Sequence, residues 1–153
     1  MPKALMALLI VQAPLTHIHG GVCSPSLTYL RLQSNHIQTV ERHDLDDCYN
    51  LTYLNMDDND IDYISPTAFD GMKNLESLRL ENNRLVHIPT TIGNLTSLNF
   101  LYLEGNRLEC TCQTLWFLQW RQSNLKAHIS GRCSLLGIEL ADFHSHCTGS
   151  IVG

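Results

Sequence analysis

The six cysteines carry the clearest chemistry in this 153-residue chain; they are Cys23, Cys48, Cys110, Cys112, Cys133 and Cys147. An even number of cysteines at ordered spacings in a small chain favours disulfide bonds and an oxidising compartment. The sequons that begin at Asn50 and Asn94 agree with this, because N-glycans are added in the secretory pathway. We therefore expect a secreted or extracellular protein with glycans on both asparagines.

Two other groups of side chains have the types that bind metals. His144, His146 and Cys147 offer zinc ligands beside the earlier cysteines, but their spacing matches no closed structural zinc site. The run from Asp57 to Asp62 contains a D-x-D-x-D pattern, but it lacks the glycine and the closing glutamate of an EF-hand loop. The sequence predicts no metal site and no cofactor.

The sequence does not favour catalysis. It contains no glycine-rich phosphate loop, no nucleophile elbow and no H-E-x-x-H motif. A formal net charge of −5 argues against a nucleic-acid partner, because such binders normally carry a basic face. No apolar run approaches the length that spans a bilayer. We expect a protein that is not an enzyme and has no transmembrane segment.

A repeated pattern sets the positions of all these residues. The pattern L-x-x-L-x-L-x-x-N-x-L begins at Leu27, Leu51, Leu75 and Leu98, with spacings of 24, 24 and 23 residues. The alternating leucines give each copy a short strand with one apolar face, which only a neighbouring coil can cover. Both the pattern and its period resemble those of leucine-rich repeat proteins. That resemblance predicts four repeats over residues 27–109, in an α/β solenoid shaped as a horseshoe with a short parallel β-sheet on its concave face.

An asparagine recurs where each copy should turn off its strand; the four are Asn35, Asn59, Asn83 and Asn106. A buried amide at that place can satisfy free backbone groups of its own coil and of the neighbouring coil. We therefore expect these asparagines to link successive coils.

Residues 1–26 allow two interpretations. Residues 1–13 have the charge, apolar core and small-residue end of a signal peptide. Alternatively, the segment is a degenerate first repeat or N-terminal cap, since Leu5 precedes Leu27 by 22 residues and Ala13 replaces the asparagine. The consensus register favours the repeat. In that case Leu9 and Val11 point outward from an unusually apolar terminal coil, which predicts self-association as a homodimer.

The outward positions of the strands form columns of aromatic, arginine and acidic residues. Aromatic and arginine side chains are common interface anchors, and acidic ones add complementarity to a basic partner. We predict that the concave face binds the ligand through Tyr29, Arg31, Tyr53, Asn55, Asp57, Arg79, Glu81, Phe100, Tyr102 and Glu104.

The C-terminal segment resembles the cysteine-rich cap of extracellular leucine-rich repeat proteins. It carries Cys110-Thr-Cys112, an aromatic stretch around Trp116 and Trp120, and two later cysteines. The resemblance implies a cap over residues 110–147, followed by a short tail over residues 148–153. It also implies disulfides Cys110–Cys133 and Cys112–Cys147, with the aromatic side chains covering the open end of the leucine stack.

The N-terminal side departs from this family, because only Cys23 precedes the first clear repeat. We expect a Cys23–Cys48 disulfide that joins neighbouring coils. The alternative is two separate thiols, with Cys48 filling a core position.

Few repeats followed by such a cap look most like the variable lymphocyte receptors of jawless vertebrates and receptor-like proteins of other chordates. That likeness implies recognition of an antigen or a microbial surface by the concave strands, assisted by the cap loop between Cys133 and Cys147. Matrix proteoglycans and adhesion receptors share the same repeats, and a fold does not fix a ligand. The alternative function is therefore a cell-adhesion or matrix-interaction module that acts through homo-association or another matrix protein.

Overall fold

The computed structural model describes residues 6–144. Within them lie ten short strands: β1 (Ala7–Leu9), β2 (Tyr29–Arg31), β3 (Thr39–Val40), β4 (Tyr53–Asn55), β5 (Tyr63–Ile64), β6 (Ser77–Arg79), β7 (Phe100–Tyr102), β8 (His128–Ser130), β9 (Arg132–Cys133) and β10 (Ile138–Glu139). One α-helix, α1 (Leu115–Ser123), lies beyond the last repeat, and 3₁₀ turns span Thr90–Asn94, Cys112–Thr114 and Leu140–Asp142. No helix in this part of the chain is long and apolar enough to cross a membrane.

Six of the strands form one parallel sheet in the order β1-β2-β4-β6-β7-β8. Their central residues are aligned in register and point into the coil stack; they are Leu8, Leu30, Leu54, Leu78, Leu101 and Ile129. The four central leucines from β2 to β7 are fully buried, while Leu8 and Ile129 at the two ends of the sheet are partly buried. The solenoid predicted from the repeat is confirmed.

Smaller pairings complete the coils. Strands β3 and β5 form a separate parallel pair, and β9 and β10 form an antiparallel pair beyond the six-stranded sheet. The β3–β5 pair therefore links two coils at a second place besides the six-stranded sheet, and the β9–β10 pair belongs to the C-terminal segment.

The asparagines of the repeat bond to two coils at once. The Asn59 Nδ2 donates to Leu32 O at 3.0 Å in the preceding coil, and to Met56 O and Asp57 O at 3.1 Å in its own. Its Oδ1 accepts from the Ile37 amide of the preceding coil at 3.0 Å. One buried side chain thus satisfies four backbone groups at the turn off the strand. The same two-sided pattern recurs at Asn83 and Asn106.

The residue before each of these turns has a left-handed backbone, with φ between 55° and 75°; the series is Gln12, Ser34, Asp58, Asn82 and Gly105. Non-glycine residues rarely adopt this conformation, and small polar residues tolerate it best. At Gly105 the glycine is also needed for space, because a methyl group there would overlap the Asn82 side chain. A fixed backbone bend therefore accompanies every turn.

The first coil follows the register that the degenerate repeat requires, since β1 pairs with β2 and Leu8 lies opposite Leu30. Its bonding is incomplete. Asn35 Nδ2 donates to Ile10 O at 2.7 Å, but the buried Asn35 Oδ1 has no hydrogen-bond partner. The predicted domain boundaries, and the alternative of a signal peptide over residues 1–13, remain predictions because residues 1–5 lie outside the described range.

Two disulfides connect the ends of the solenoid to their neighbours. Cys23 is bonded to Cys48 in the next coil, and Cys110 at the end of the last repeat is bonded to Cys133 in β9. The predicted Cys112–Cys147 pairing cannot be placed, because Cys147 lies outside the described residues.

Helix α1 closes the C-terminal end of the leucine stack. Phe117 is fully buried, and Trp116 and Trp120 pack on it with ring-centroid distances of 5.8 and 5.7 Å. Arg121 holds the following segment, because its guanidinium donates to the carbonyls of Leu140, Ala141 and Phe143. The open apolar end is thereby covered.

Replacement of Asn59 by alanine should destabilise the fold by about 2–4 kcal/mol, because it leaves buried backbone groups of two coils without partners. Urea unfolding with the disulfides intact measures this. The matched control is Asn35→Ala, which removes a side chain that makes no acceptor bond and should cost about 1 kcal/mol less. Equal losses for the two variants would contradict the two-sided role of the asparagine.

Candidate functional site on the concave face

The six-stranded sheet brings the predicted outward residues into aligned columns. One column runs Ala7, Tyr29, Tyr53, Ser77, Phe100 and His128, and the next runs Leu9, Arg31, Asn55, Arg79, Tyr102 and Ser130. The side chains at alternate positions of these short strands share the outer face. The structure therefore joins strands from every repeat and from the C-terminal segment into one surface, which we call the concave face.

Sequence reasoning missed His128 and Ser130 on this face. Strand β8 lies beyond the repeats, and Ile129 follows Leu101 by 28 residues, outside the period of 22 to 24 that the other central residues keep. The one available signal was the polar-apolar-polar alternation of the three residues in β8.

A tyrosine pair forms the N-terminal part of the concave face. The rings of Tyr29 and Tyr53 stack with centroids 4.3 Å apart and planes 7° from parallel. The Asn55 Nδ2 donates to the Tyr53 hydroxyl at 3.1 Å, and the Arg31 guanidinium lies 5.8 Å from the Tyr29 ring. The pair is thus held in place before any ligand arrives, which lowers the entropy lost on binding.

A charged cluster occupies the middle of the face. Arg79 Nε donates to Asp57 Oδ2 at 2.9 Å, and Arg79 Nη2 donates to Glu81 Oε1 at 3.2 Å. Asp57 Oδ1 also accepts from the Glu81 amide at 2.7 Å. The Arg79 guanidinium lies 4.4 Å over the Tyr102 ring, within range of a cation–π contact. One arginine therefore joins three coils.

The charges of this cluster shift two pKa values. Burial opposes the charge of Arg79, but the hydrogen bond and charge of Asp57 and the charge of Glu81 outweigh it and raise the pKa of the guanidinium. Burial, and then the charge of Asp57, raise the pKa of Glu81 above its ordinary value, against the opposing effect of Arg79. Folding therefore disfavours the ionised form of Glu81.

Two of the predicted ligand contacts require correction. Asn55 is 4% exposed and Asp57 is 7% exposed, and their polar atoms bond within the chain. Asn55 Oδ1 accepts from the Asp57 amide at 2.9 Å, so the two side chains support each other. They position Tyr53 and Arg79, and their burial leaves little side-chain surface for direct contact with a ligand. The sequence could not reveal this, because both residues occupy outward positions of the repeat.

An aromatic group forms the C-terminal part of the face. Phe100 is 45% exposed, and its ring centroid lies 6.4 Å from those of both Tyr102 and His128. The His128 and Tyr102 centroids are 5.7 Å apart. Glu104 is exposed beside this group. The concave face thus presents two aromatic areas on either side of the Arg79 cluster.

A family model described as leucine rich repeat matches residues 3–61 and 50–108. The chain belongs to the leucine-rich repeat family. No curated protein gives a significant match. Among solved structures, a chain of the Toll–Spätzle complex of Drosophila is similar, with a TM-score of 0.63 and 22% identity. The match covers 70% of this chain and 15% of that one, and at this identity it shows the fold alone.

At the N-terminal end of this leucine-rich repeat protein, Leu9 is 56% exposed and Val11 is exposed. Beside them lies an apolar cavity of about 400 Å³ lined by Leu8, Ile10 and Leu15 among others. These exposed apolar side chains are the ones for which self-association was predicted, and that association remains a prediction.

The two predicted glycosylation sites lie on turns of two coils that are separated by one further coil. Asn50 is half-buried and its Nδ2 donates to Pro25 O at 2.6 Å, whereas Asn94 is exposed and its Nδ2 donates to Asp70 Oδ1 at 3.0 Å. Glycosylation at both remains a prediction, with Asn94 the more accessible of the two.

The aspartates of the D-x-D-x-D pattern bond to protein groups. Asp58 Oδ1 accepts from Asn82 Nδ2 at 2.9 Å, and Asp60 lies 3.3 Å from Arg84 and 3.5 Å from His36. In residues 6–144, no three histidine, cysteine, aspartate or glutamate side chains are grouped to hold a metal ion. His146 and Cys147 of the zinc pattern lie outside the described range.

The pH dependence of stability should change when Glu81 is replaced by glutamine. Folding raises the pKa of Glu81 above its ordinary value of 4.5. At a pH just above 4.5, the carboxyl group of Glu81 therefore stays protonated in the native state more than it does in the unfolded chain. The free energy of unfolding of the wild type should therefore fall relative to that of Glu81→Gln as the pH rises through this window.

Urea unfolding of both proteins between about pH 4 and pH 7 measures this difference. Glu76→Gln, at an exposed glutamate, is the matched control for the loss of one carboxylate. A wild type that gains stability over Glu81→Gln across the same range would show that the assigned direction is wrong.

Proposed function

We propose that this protein is a non-enzymatic extracellular recognition module that binds a protein or microbial-surface ligand through its concave face, in the manner of an immune receptor. One observation carries the proposal: two aromatic areas lie on a single sheet, a half-buried tyrosine pair held by the Asn55 hydrogen bond and a more exposed group around Phe100 held by ring contacts. Tyrosine, phenylalanine and arginine are the side chains that most often anchor interfaces. Family membership supports this, since leucine-rich repeat proteins generally mediate protein binding.

Rigidity of the surface also supports a binding role. The outer atoms of Tyr53 and Arg79 are fixed by buried partners, Asn55 and Asp57, and the strands beneath them are locked by the leucine stack. A surface ordered in advance loses less entropy when a ligand binds. The absence of any sequence motif for catalysis is consistent with such a role.

The extracellular part of the proposal draws on the covalent chemistry. Within residues 6–144, the Cys23–Cys48 disulfide joins neighbouring coils and the Cys110–Cys133 disulfide joins the last repeat to β9, and such bonds persist in oxidising compartments. The Toll–Spätzle complex is described as a hub in Drosophila development and innate immunity, which is a property of that complex. The likeness to variable lymphocyte receptors, and the C-terminal segment as their type of cap, belong to the same proposal.

A second function, adhesion through homo-association or through a matrix protein, is favoured by a different surface. Among residues 6–144, the first coil carries the exposed Leu9 and Val11 beside an apolar cavity. Terminal coils of a solenoid normally present a polar outer face. A second copy of the chain would cover this end.

Binding to bacterial wall components and to matrix proteins should separate the two functions. If the concave face recognises microbial ligands, the double variant Tyr53→Ala, Tyr102→Ala should weaken binding at least about tenfold, because each anchor of this type contributes on the order of 2 kcal/mol. Surface plasmon resonance with immobilised wall components and immobilised matrix proteins provides the measurement.

The control is Tyr49→Ala, Tyr63→Ala, which removes two exposed tyrosines that are not part of the concave columns. Microbial binding that survives the concave variant, or that falls equally in the control, would disprove the concave immune function. Matrix binding unaffected by the concave variant, together with a dimer by light scattering, would favour adhesion; a monomer at micromolar concentration would contradict homo-association.

A further inference from the structure

The two arginines of the concave face have opposite electrostatic surroundings. Arg79 is paired with Asp57 from the preceding coil and with Glu81 from its own coil. The register of the sheet places Val11 and Gln33 at the two matching positions around Arg31. Neither side chain carries a negative charge, so the sequence neutralises one arginine of the column and leaves the other uncompensated.

The hydrogen bonds of Arg31 agree with this difference. Its Nε is buried and has no hydrogen-bond partner, and none of the ion pairs formed within residues 6–144 includes Arg31. The Oε1 of Gln33, which lies two residues after the end of β2, is also buried and has no hydrogen-bond partner. The neighbours of Arg31 across the sheet are Leu9 and Asn55, which carry no charge. Arg31 is only half-buried, and its guanidinium has no carboxylate partner among the described residues, which leaves its charge available to a ligand.

We propose that Arg31 is the binding site for a carboxylate side chain of a protein ligand; the proposal deepens, and rests on, the proposed role of the concave face. A guanidinium has only donors, and its planar fork matches a carboxylate. The stacked rings of Tyr29 and Tyr53 beside it offer contact area for the residue that carries the carboxylate. Arg31 and the tyrosine pair then form one anchor.

The rest of the face favours a protein segment that carries one carboxylate and one basic group over a polyanion. Glu81 is half-buried and Glu104 is exposed on the strands that follow, and the chain carries a net charge of −5. These charges repel a sulfated glycan, but they attract a basic side chain. A ligand with one carboxylate and one basic group can pair the carboxylate with Arg31 and place the basic group near Glu104.

The strand spacing fixes how far apart these two ligand charges lie. Arg31 is on β2. Glu81 follows β6, which lies two strands away, and Glu104 follows β7, which lies three strands away. Neighbouring strands are about 4.8 Å apart, so the two charges should be separated by roughly 10–14 Å. An extended peptide covers that distance in about three to four residues. The ligand segment therefore has an acidic and a basic residue about three positions apart.

An NMR titration with a designed peptide tests the site directly. The probe is Ac-Glu-Tyr-Gly-Lys-NH2, its matched neutral form is Ac-Gln-Tyr-Gly-Lys-NH2, and Ac-Lys-Gly-Tyr-Glu-NH2 tests the opposite chain direction. The arginine Nε–Hε signals of ¹⁵N-labelled protein report on each guanidinium separately. We expect a saturable shift of the Arg31 signal with one of the two acidic peptides, and binding at least about fivefold weaker for its glutamine form.

Three variants define the site. Arg31→Gln should abolish the preference for the acidic peptide, Arg31→Lys should retain part of it because the charge remains, and Arg42→Gln, at an exposed arginine outside the sheet, should leave it unchanged. A backbone amide spectrum like that of the wild type shows that each variant is folded. Equal binding of the glutamine peptide, an unmoved Arg31 signal, or an unchanged preference in Arg31→Gln would overturn the proposal.

A heparin hexasaccharide in a parallel titration decides between ligand classes. A larger shift of the Arg31 signal with this polyanion than with the acidic peptides would overturn the protein-carboxylate assignment. The two proposals can fail separately. If Tyr53→Ala, Tyr102→Ala removes binding to an immobilised ligand while Arg31 shows no preference for the acidic peptides, the proposed function of the concave face stands and the Arg31 site is wrong. If the Arg31 site binds the acidic peptide but the tyrosine variant has no effect, the proposed function is the one that fails.

Discussion

Each coil of this protein has one apolar face that only the next coil can cover, and the remainder of the structure depends on that constraint. The leucines at the centres of β2, β4, β6 and β7 are fully buried because neighbouring coils lie on both sides of them. The turn that ends each strand would expose backbone groups inside the stack, and the asparagines satisfy them from two coils together. Packing and hydrogen bonding are therefore shared between coils. The strands of the concave face are regularly spaced for the same reason.

The repeat determined most of what could be predicted. A period of about two dozen residues fixes the strand centres, and the turn position fixes the role of an asparagine such as Asn59. The surface columns follow from the same register, which is why Tyr29 and Tyr53 could be placed on one face. Burial within a column could not be predicted, because it depends on the neighbours: Asn55 and Asp57 occupy outward positions yet lie beneath Tyr53 and Arg79. Strand β8 was missed because the segment that contains it does not follow the repeat.

The concave face shows how a uniform scaffold supports unequal sites. Arg31 and Arg79 have the same position on two strands of one sheet, but two neighbouring residues differ: the residue that follows the preceding strand and the residue that follows the arginine's own strand. Carboxylates around Arg79 make it a structural link between coils, with a raised pKa at Glu81 as the electrostatic cost. Uncharged side chains around Arg31 leave its charge for a ligand. In such a fold, function depends on the outward residues that differ from coil to coil, whereas the leucines account for the scaffold that carries them.

Amide hydrogen exchange is the most direct test of the claim that asparagines lock successive coils beneath the binding face. The amides of Ile37, Ile61 and Leu85 each donate to an asparagine Oδ1 of the next coil. They should exchange only through global unfolding, as slowly as the slowest amides of β4 and β6. The Leu15 amide holds the equivalent place beside Asn35, whose Oδ1 is unpartnered, and should exchange much faster. Fast exchange at Ile37, Ile61 and Leu85, at the rate of Leu15, would contradict the account.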